Sequence, residues 1–166
     1  GIIATRLDRA ETPALLVDVG TNGEIVLAHN GRLTATSVAA GPAFEGARIR
    51  NGMRAANGAI EKVLIGAAAD DIELNVIGNA KPTGLCGTGL IDAVATLLRA
   101  GILDATGRIL EPAELPAGLS PALRARVLQA EDGQCDFLLA AAPTTGTGEP
   151  VILYQRDIRE LQLANG

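Results

Sequence analysis

Two apolar runs, residues 15–19 and 24–28, are separated by a short polar stretch, with the carboxylate of Asp18 at the end of the first run. Leu15, Leu16, Val17 and Val19 read as a buried strand. Asn22-Gly23 is the dipeptide most favourable to a tight hairpin, since both residues tolerate positive φ, so the second run is expected to return antiparallel to the first. Asn30-Gly31 is a second turn signal, and the alternation over 33–38 predicts a third strand of the same meander. Residues 1–13, with Arg6, Asp8, Arg9 and Glu11 before Pro13, predict a polar lead-in without an element of its own.

Beyond the meander, Pro42 at a first helical position and Glu45 in the first turn predict a helix, kept short by Gly46, Asn51 and Gly52. Residues 58–65 and 72–77 predict two strands joined by a hairpin, with Asp70 and Asp71 solvent-exposed at its tip. The clearest helix follows Gly84-Leu-Cys-Gly-Thr-Gly-Leu. There Leu90, Ile91, Val94, Leu97 and Leu98 recur at helical spacing as a core face, Asp92, Thr96 and Arg99 share the other face, and Gly101 ends the helix. Residues 102–128 read as a peripheral connection containing a short helix from Ser120-Pro121 to Val127. Asp132-Gly133 predicts a turn into a strand at 137–140, and 142–150 reads as a flexible loop. A strand at 151–154 leads into a terminal helix from Arg156, with Arg156 and Glu160 spaced to pair and Asp157 in the first turn either answering the helix dipole or contacting a ligand.

Composition narrows the function. The 166 residues suffice for one domain with a real core, and 48% apolar content with few aromatics predicts a folded chain built on small residues. A net charge of −5 and only two Phe, one Tyr and no Trp argue against nucleic acid as a partner. No apolar run is long enough to span a bilayer and the N-terminus lacks a signal-peptide layout, so the expected location is cytoplasmic, with no membrane partner. Cys86 and Cys135 belong to no Cys-x-x-Cys motif and read as buried thiols, so no iron–sulfur cluster is assembled from them. His29 has no Ser, Cys or carboxylate arranged around it and receives no catalytic role.

The candidate chemistry lies in two glycine-containing stretches. Asp-Val-Gly-Thr at 18–21 offers a carboxylate for a hydrated metal, a hydroxyl, and backbone N–H groups that Gly20 leaves open to a phosphate. The competing reading is an ordinary hairpin whose Asp caps its own turn. Gly87, Thr88 and Gly89 open the clearest helix and expose N–H groups to a phosphate or nucleoside, with Thr88 as N-cap or ligand. Equally, glycines there let a helix pack closely on a sheet. If the helix at Pro42 points toward the Asp18 turn, its N-terminus adds to the phosphate site, and Glu45 holds a metal-bound water or activates one; otherwise Glu45 only complements the dipole. Lys81 is within sequence reach of an anion but reads as a surface lysine. Arg48, Arg50 and Arg54 form a basic cluster that meets phosphate, an acidic partner or nearby carboxylates.

Six stretches occur in one order: Asp-Val-Gly-Thr-Asn-Gly-Glu-Ile at 18–25, Ala-Gly-Pro-Ala-Phe-Glu-Gly at 40–46, Gly-Met-Arg-Ala at 52–55, Gly-Ala-Ile-Glu-Lys-Val at 58–63, Gly-Leu-Cys-Gly-Thr-Gly-Leu-Ile-Asp at 84–92 and Gln-Arg-Asp-Ile-Arg-Glu-Leu-Gln-Leu-Ala at 155–164. Together they resemble the C-terminal domain of the reductive activators of corrinoid proteins, iron–sulfur proteins whose ATP-binding domain belongs to the acetate kinase, sugar kinase, heat-shock chaperone and actin superfamily. The resemblance implies an α/β fold of the actin-like, ribonuclease H-like ATPase type, a three-stranded antiparallel meander followed by helices packed on a mixed sheet. It divides the chain into the lead-in 1–13 and a partial ATPase domain, 14–166, whose final nucleoside-binding part is missing.

Implied cofactors are ATP or ADP with Mg²⁺, and a 2Fe-2S cluster carried only by a separate N-terminal domain. Implied partners are a corrinoid protein and a second copy of the chain. In that setting Asp18 would hold Mg²⁺ through water, Gly20, Thr21 and Asn22 would contact phosphate, Glu45 would position the catalytic water, and Gly87, Thr88 and Gly89 would line the nucleotide cleft. The whole protein would use ATP to return Co(II) corrinoid to Co(I). The chain lacks an initiator Met and ends within an expected helix, so an excised piece is expected. With one Asp-x-Gly-Thr hairpin where the superfamily uses two, that piece is expected to bind nucleotide weakly and not turn it over. The alternatives are a non-catalytic docking or dimerisation domain, or another ATPase or kinase of the superfamily.

Overall fold

The computed structural model describes residues 1–66, 70–131 and 133–165. Strands β1 (Ala14–Val19), β2 (Asn22–His29) and β3 (Arg32–Ala39) form an antiparallel meander in the order β1-β2-β3. Asn30 and Gly31 turn the second corner with φ of 51° and 70°, the left-handed pair that a two-residue hairpin needs. The first corner falls elsewhere than expected. Asn22 and Gly23 are already in β2, opposite Ala39 and Val38, and the turn consists of Gly20 and Thr21. The far reach of β3 decides this. The N–H groups of Ala40 and Gly41 both donate to the Thr21 carbonyl, at 3.1 and 2.8 Å, which draws Asn22 and Gly23 into the ladder.

One face of the meander has a small core. Leu16, Val26 and Ala28 pack under Ile2 and Leu7, which come from the short helix α1 (Ile2–Thr5) and a following 3-10 turn (Leu7–Arg9). The segment 1–13 is therefore a cover for the sheet rather than a plain lead-in. Leu15, Val17 and Val19 alternate to the other face and are 62, 50 and 53% exposed, which corrects the reading of a fully buried strand. Period-two alternation guarantees two faces, and the described residues cover only one.

The main core lies between two further three-stranded sheets. Strands β4 (Ala59–Ile65), β5 (Ile72–Val76) and β6 (Gly84–Leu85) are ordered β5-β4-β6, with β6 parallel to β4. Strands β7 (Val127–Gln129), β8 (Cys135–Ala140) and β9 (Val151–Leu153) form an antiparallel sheet in chain order. Helices α2 (Gly87–Arg99), α3 (Pro121–Ala125) and α4 (Gln155–Asn165) pack on them, and Ile60, Leu90, Leu97, Ile102, Phe137 and Ile158 are wholly buried. Burial of such side chains at about 1.5–3 kcal/mol each is the main favourable term. No helix among the described residues is long and apolar enough to cross a membrane.

The expected two faces of α2 are partly reversed. Thr96 is buried at 2% exposure and donates its hydroxyl to the Val63 carbonyl at 2.8 Å, while Asp92 accepts the Val63 N–H, also at 2.8 Å. Ile91 and Leu98, read as core, are 44 and 50% exposed. The cause is an open strand edge. β6 pairs with β4 only at Ala59 and Ile60, so the next backbone groups along β4 need partners that only the polar side of α2 supplies.

Residues 102–128 are no peripheral connection either, because Ile102, Leu103, Ile109, Leu115 and Leu123 all enter the main core. Their irregular spacing hides this. Arg108 clamps the turn by bonding Asp104 at 3.2 Å and Glu114 at 2.7 and 3.0 Å. At the β4–β5 hairpin Asp70 is exposed as expected, but Asp71 forms a forked ion pair with Arg126, which also donates to the carbonyls of Leu138 and Leu139 at 3.0 Å. The hairpin tip is thus fastened to β8. Asp132 of the expected turn lies outside the described residues, and Gly133 has φ of 82°. The loop 142–150 is ordered by a 3-10 turn (Ala142–Thr144) and by the buried Thr145, whose hydroxyl donates to Ala142 O at 2.9 Å and accepts from Gly148 N at 3.1 Å.

Replacing Thr96 by Val preserves shape and strands the Val63 carbonyl, so urea unfolding is expected to show a loss of about 1–2 kcal/mol. Ile91→Thr, on the exposed side, should change stability by less than about 0.5 kcal/mol. The Thr106 hydroxyl and the Arg108 N–H hold the Asp104 carboxyl at about 2, below its ordinary 3.8. A depressed folded pKa contributes stability above the unfolded value that is lost as pH falls through the folded one. The thermal midpoint should therefore drop between pH 4 and pH 2, and Asp104→Asn should flatten the profile in that window, as read by circular dichroism.

Candidate functional site

The two glycine-containing stretches come together around Glu45. Thr21, in the first corner of the meander, donates its hydroxyl to Glu45 Oε1 at 2.5 Å across 24 residues of sequence. Glu45 in turn lines a cavity of about 350 Å³ with Phe44, Arg54, Ala55, Cys86, Gly87 and Thr88. The helix expected at Pro42 is one 3-10 turn (Pro42–Glu45), stopped by Gly46 at φ 77°. A single turn whose first residue lacks an N–H has little dipole, so the expected anion-attracting N-terminus does not form there.

The anion-attracting end belongs to α2 instead. Its first-turn N–H groups have no carbonyl within the helix, and the N-cap residue, Cys86, makes no side-chain cap. Thr88 is therefore not the N-cap; it sits in the first turn with its hydroxyl 3.2 Å from Cys86 Sγ. Cys86 itself is buried, its thiol bonded to the Ile60 carbonyl at 3.2 Å. An uncapped helix of thirteen residues opening on a cavity that also holds a guanidinium and a hydroxyl suits a phosphate group. The carboxylate of Glu45 in the same cavity suits a hydrated divalent cation. This donor set fits a nucleotide phosphate with Mg²⁺, the group expected there.

The glycines divide by cause. A Cβ on Gly87 would overlap the Phe44 carbonyl, and one on Gly89 would overlap the Ile60 carbonyl, so close packing accounts for both. Gly89 is buried against β4 and does not line the cavity. At Gly20 a Cβ would meet Asn22 O at 3.7 Å and Glu45 Oε1 at 4.0 Å, ordinary contacts that leave the glycine without a packing reason.

Asp18 stands apart from this set. It faces Glu24 across the β1–β2 ladder and lines a different cavity with Gly1, Ile2, Ile3, Leu16, Glu24 and Val26. Asn22 is exposed at the start of β2, and Lys81 and His29 are exposed. Among the described residues no three His, Cys, Asp or Glu side chains are grouped to hold a metal ion. Burial pushes the Cys135 thiol above its ordinary range, in keeping with a buried structural cysteine. Phe44 and Ala55 complete the Glu45 cavity without having been singled out, since nothing local marks an apolar residue as a wall.

A meander followed by helices on mixed sheets, with a glycine-opened helix beside its first corner, is the α/β fold of the actin-like ATPase superfamily. Residues 12–166 match the family described as the C-terminal domain of RACo, the ASKHA domain, and the chain belongs to that family. The corrinoid activation enzyme RamQ of Eubacterium limosum is 37% identical over 158 residues, covering 95% of this chain and 26% of that protein. The Co(II) methylated amine-specific corrinoid protein reductase of Methanosarcina barkeri is 31% identical over 112 residues, covering 55% of this chain and 21% of that protein. A solved structure described as a reductive activator for corrinoid, iron–sulfur protein superposes with a TM-score of 0.82 at 38% identity, over 96% of this chain and 24% of its own. The chain thus spans about a quarter of the length of these relatives.

Gly89→Ala should destabilise the fold by about 1–3 kcal/mol through overpacking against Ile60, measured by denaturant unfolding. Gly20→Ala should fall within about 0.5 kcal/mol of wild type, because nothing in the fold crowds that position.

Proposed function

We propose that the chain is the nucleotide-responsive part of an ATP-dependent reductive activator, which returns a Co(II) corrinoid protein to Co(I) with electrons from a separate iron–sulfur domain. The names of its relatives, one a corrinoid activation enzyme and one a reductase of a Co(II) corrinoid protein, support the overall role. The nucleotide role rests on one observation: the Thr21–Glu45 bond that draws the Asp-x-Gly-Thr corner to the cavity at the uncapped start of α2.

In this reading the N–H groups of Gly87 and Thr88, the Thr88 hydroxyl and the Arg54 guanidinium hold phosphate. Thr21 fixes the orientation of Glu45, whose carboxylate would hold a hydrated divalent cation when one is bound. Asp18, expected to hold Mg²⁺ through water, lines its own cavity with Glu24, apart from the Glu45 cavity. Nucleotide would act by binding two conformations of the activator with different affinity, the only way a ligand can shift such an equilibrium.

A second reading, a domain that docks a corrinoid protein or a second copy without nucleotide, draws on the exposed apolar face of Leu15, Val17, Val19, Leu27 and Val38. One experiment separates the two. Amide chemical shifts of this chain are followed during titration with Mg-ATP and Mg-ADP, for wild type, Glu45→Gln and Thr88→Val. The expected result is weak, saturable, Mg²⁺-dependent binding centred on Thr21, Glu45, Gly87 and Thr88, weakened about tenfold in each variant. No saturation up to about 10 mM would remove the nucleotide reading and leave the docking domain.

A further inference from the structure

We propose that Arg48, Arg50 and Arg156, with Tyr154, form a second binding site that takes the phosphate group of a small molecule. These side chains line one cavity of about 370 Å³ with Gln134 and Asp157, and it shares no residue with the Glu45 cavity. A cavity of this size admits a phosphate with a sugar-sized group attached, and not a folded surface.

The arginines stand on a fastened loop. Ile49 is buried between Arg48 and Arg50, the Arg50 N–H donates to Asp157 Oδ1 at 3.1 Å, and Asn51 accepts from Leu85 N at 2.8 Å and from Ile152 N at 3.0 Å. Met53 N then donates to Leu85 O at 3.0 Å. The backbone carrying two guanidinium groups is thereby preorganised, which lowers the ordering cost of binding an anion.

Arg48 has φ of 67°, a left-handed conformation that an arginine adopts only at a cost and that glycine or asparagine would take more readily. The cation is thus held where the backbone prefers another residue.

The ion pairs among the described residues involve Arg9, Arg108 and Arg126, and none involves Arg48, Arg50 or Arg156. Arg50 lies over the Tyr154 ring at 4.5 Å, a stack that holds the guanidinium plane in position while its N–H groups stay available. Asp157, the carboxylate among the described lining residues, is 1% exposed, and its two oxygens are bonded to the backbone N–H groups of Arg50 and Tyr154. Among the described residues three guanidinium groups and one carboxylate line the cavity in a chain of net charge −5, with Asp136, which accepts the Gln155 N–H, acting on Asp157 from close by. Guanidinium forks match phosphate oxygens in pairs.

The test is an amide chemical-shift titration of this chain with inorganic phosphate, with ribose 5-phosphate and with a glutamate-rich peptide. The variants are Arg48→Gly, which suits the left-handed backbone, and Arg156→Gln, which is exposed; Arg32→Gln, at an exposed position of β3 that lines neither cavity, is the control. Saturable shifts at Arg48, Arg50, Tyr154 and Arg156 are expected, with affinity about tenfold weaker in both site variants and unchanged in the control. The thermal midpoint of Arg48→Gly should not fall below wild type. Tighter binding of the sugar phosphate than of inorganic phosphate would name a phosphomonoester as the ligand, and equal binding would name the phosphate group alone. The proposal is overturned by no saturation with either phosphate, by undiminished affinity in Arg48→Gly, by shifts confined to the Glu45 cavity, or by binding of the peptide alone. Because the two cavities are separate, failure here leaves the nucleotide reading standing, and the reverse holds too.

Discussion

The contact between α2 and β4 is the constraint on which the rest of the structure depends. The Ile60 carbonyl accepts the Cys86 N–H at 3.1 Å and the Cys86 thiol at 3.2 Å, and Gly89 lies so close above it that no side chain would fit. One turn further, Asp92 and Thr96 take the N–H and carbonyl of Val63. A strand edge is thereby completed by side chains of a helix instead of by another strand, satisfying backbone groups that burial would otherwise penalise. The helix can neither slide nor rotate without losing these bonds, so its uncapped end is held where Gly87 meets the Phe44 carbonyl. Glu45 follows Phe44 directly. The cavity at the start of α2 is thus a consequence of how the helix is seated.

A second set of bonds joins the two inner sheets. Asn51 reaches Leu85 in β6 and Ile152 in β9, and Asp157 holds the loop at Arg50 while bonding the N–H of Tyr154 ahead of α4. Burial raises the affinity of Asp157 for a proton, and the two N–H donors counter that by favouring the charged form. The loop between Gly46 and Met53 is short of regular structure yet rigid, because each of its polar backbone groups named here has a definite partner. That rigidity is what allows a loop to present charged side chains in fixed positions.

The meander is organised differently. It has its own small core under α1 and Leu7, and it meets the Glu45 cavity through the Thr21 hydroxyl. Its opposite face, with Leu15, Val17, Val19, Leu27 and Val38, is apolar and exposed. An exposed apolar patch of that kind is the feature on which the docking reading draws.

Short-range patterns in the chain were enough for several of the elements. Asn30-Gly31 specifies its turn because two adjacent residues must take positive φ, and the helical spacing of Leu90 and Leu97 or the run at 59–65 needs no distant partner to be recognised. The order of the glycine-containing motifs was likewise enough for the family. What only tertiary structure decided is which side of each element is inside and why each glycine is there. Asp92 and Thr96 look like a solvent face until an unpaired edge of β4 lies beside them. Gly87 and Gly89 look alike in the sequence, yet the carbonyls of Phe44 and Ile60 stand where their side chains would be, and only Gly87 lines the Glu45 cavity. Asp18 and Glu45 carry the same carboxylate, and the ladder turns one toward α1 while the Thr21 bond turns the other toward α2. Residues 102–128 hide their core role because irregular backbone buries apolar side chains without a period. Periodicity records local geometry alone, whereas burial and convergence of side chains are set by partners far away in sequence, through contacts that form only once the chain has folded.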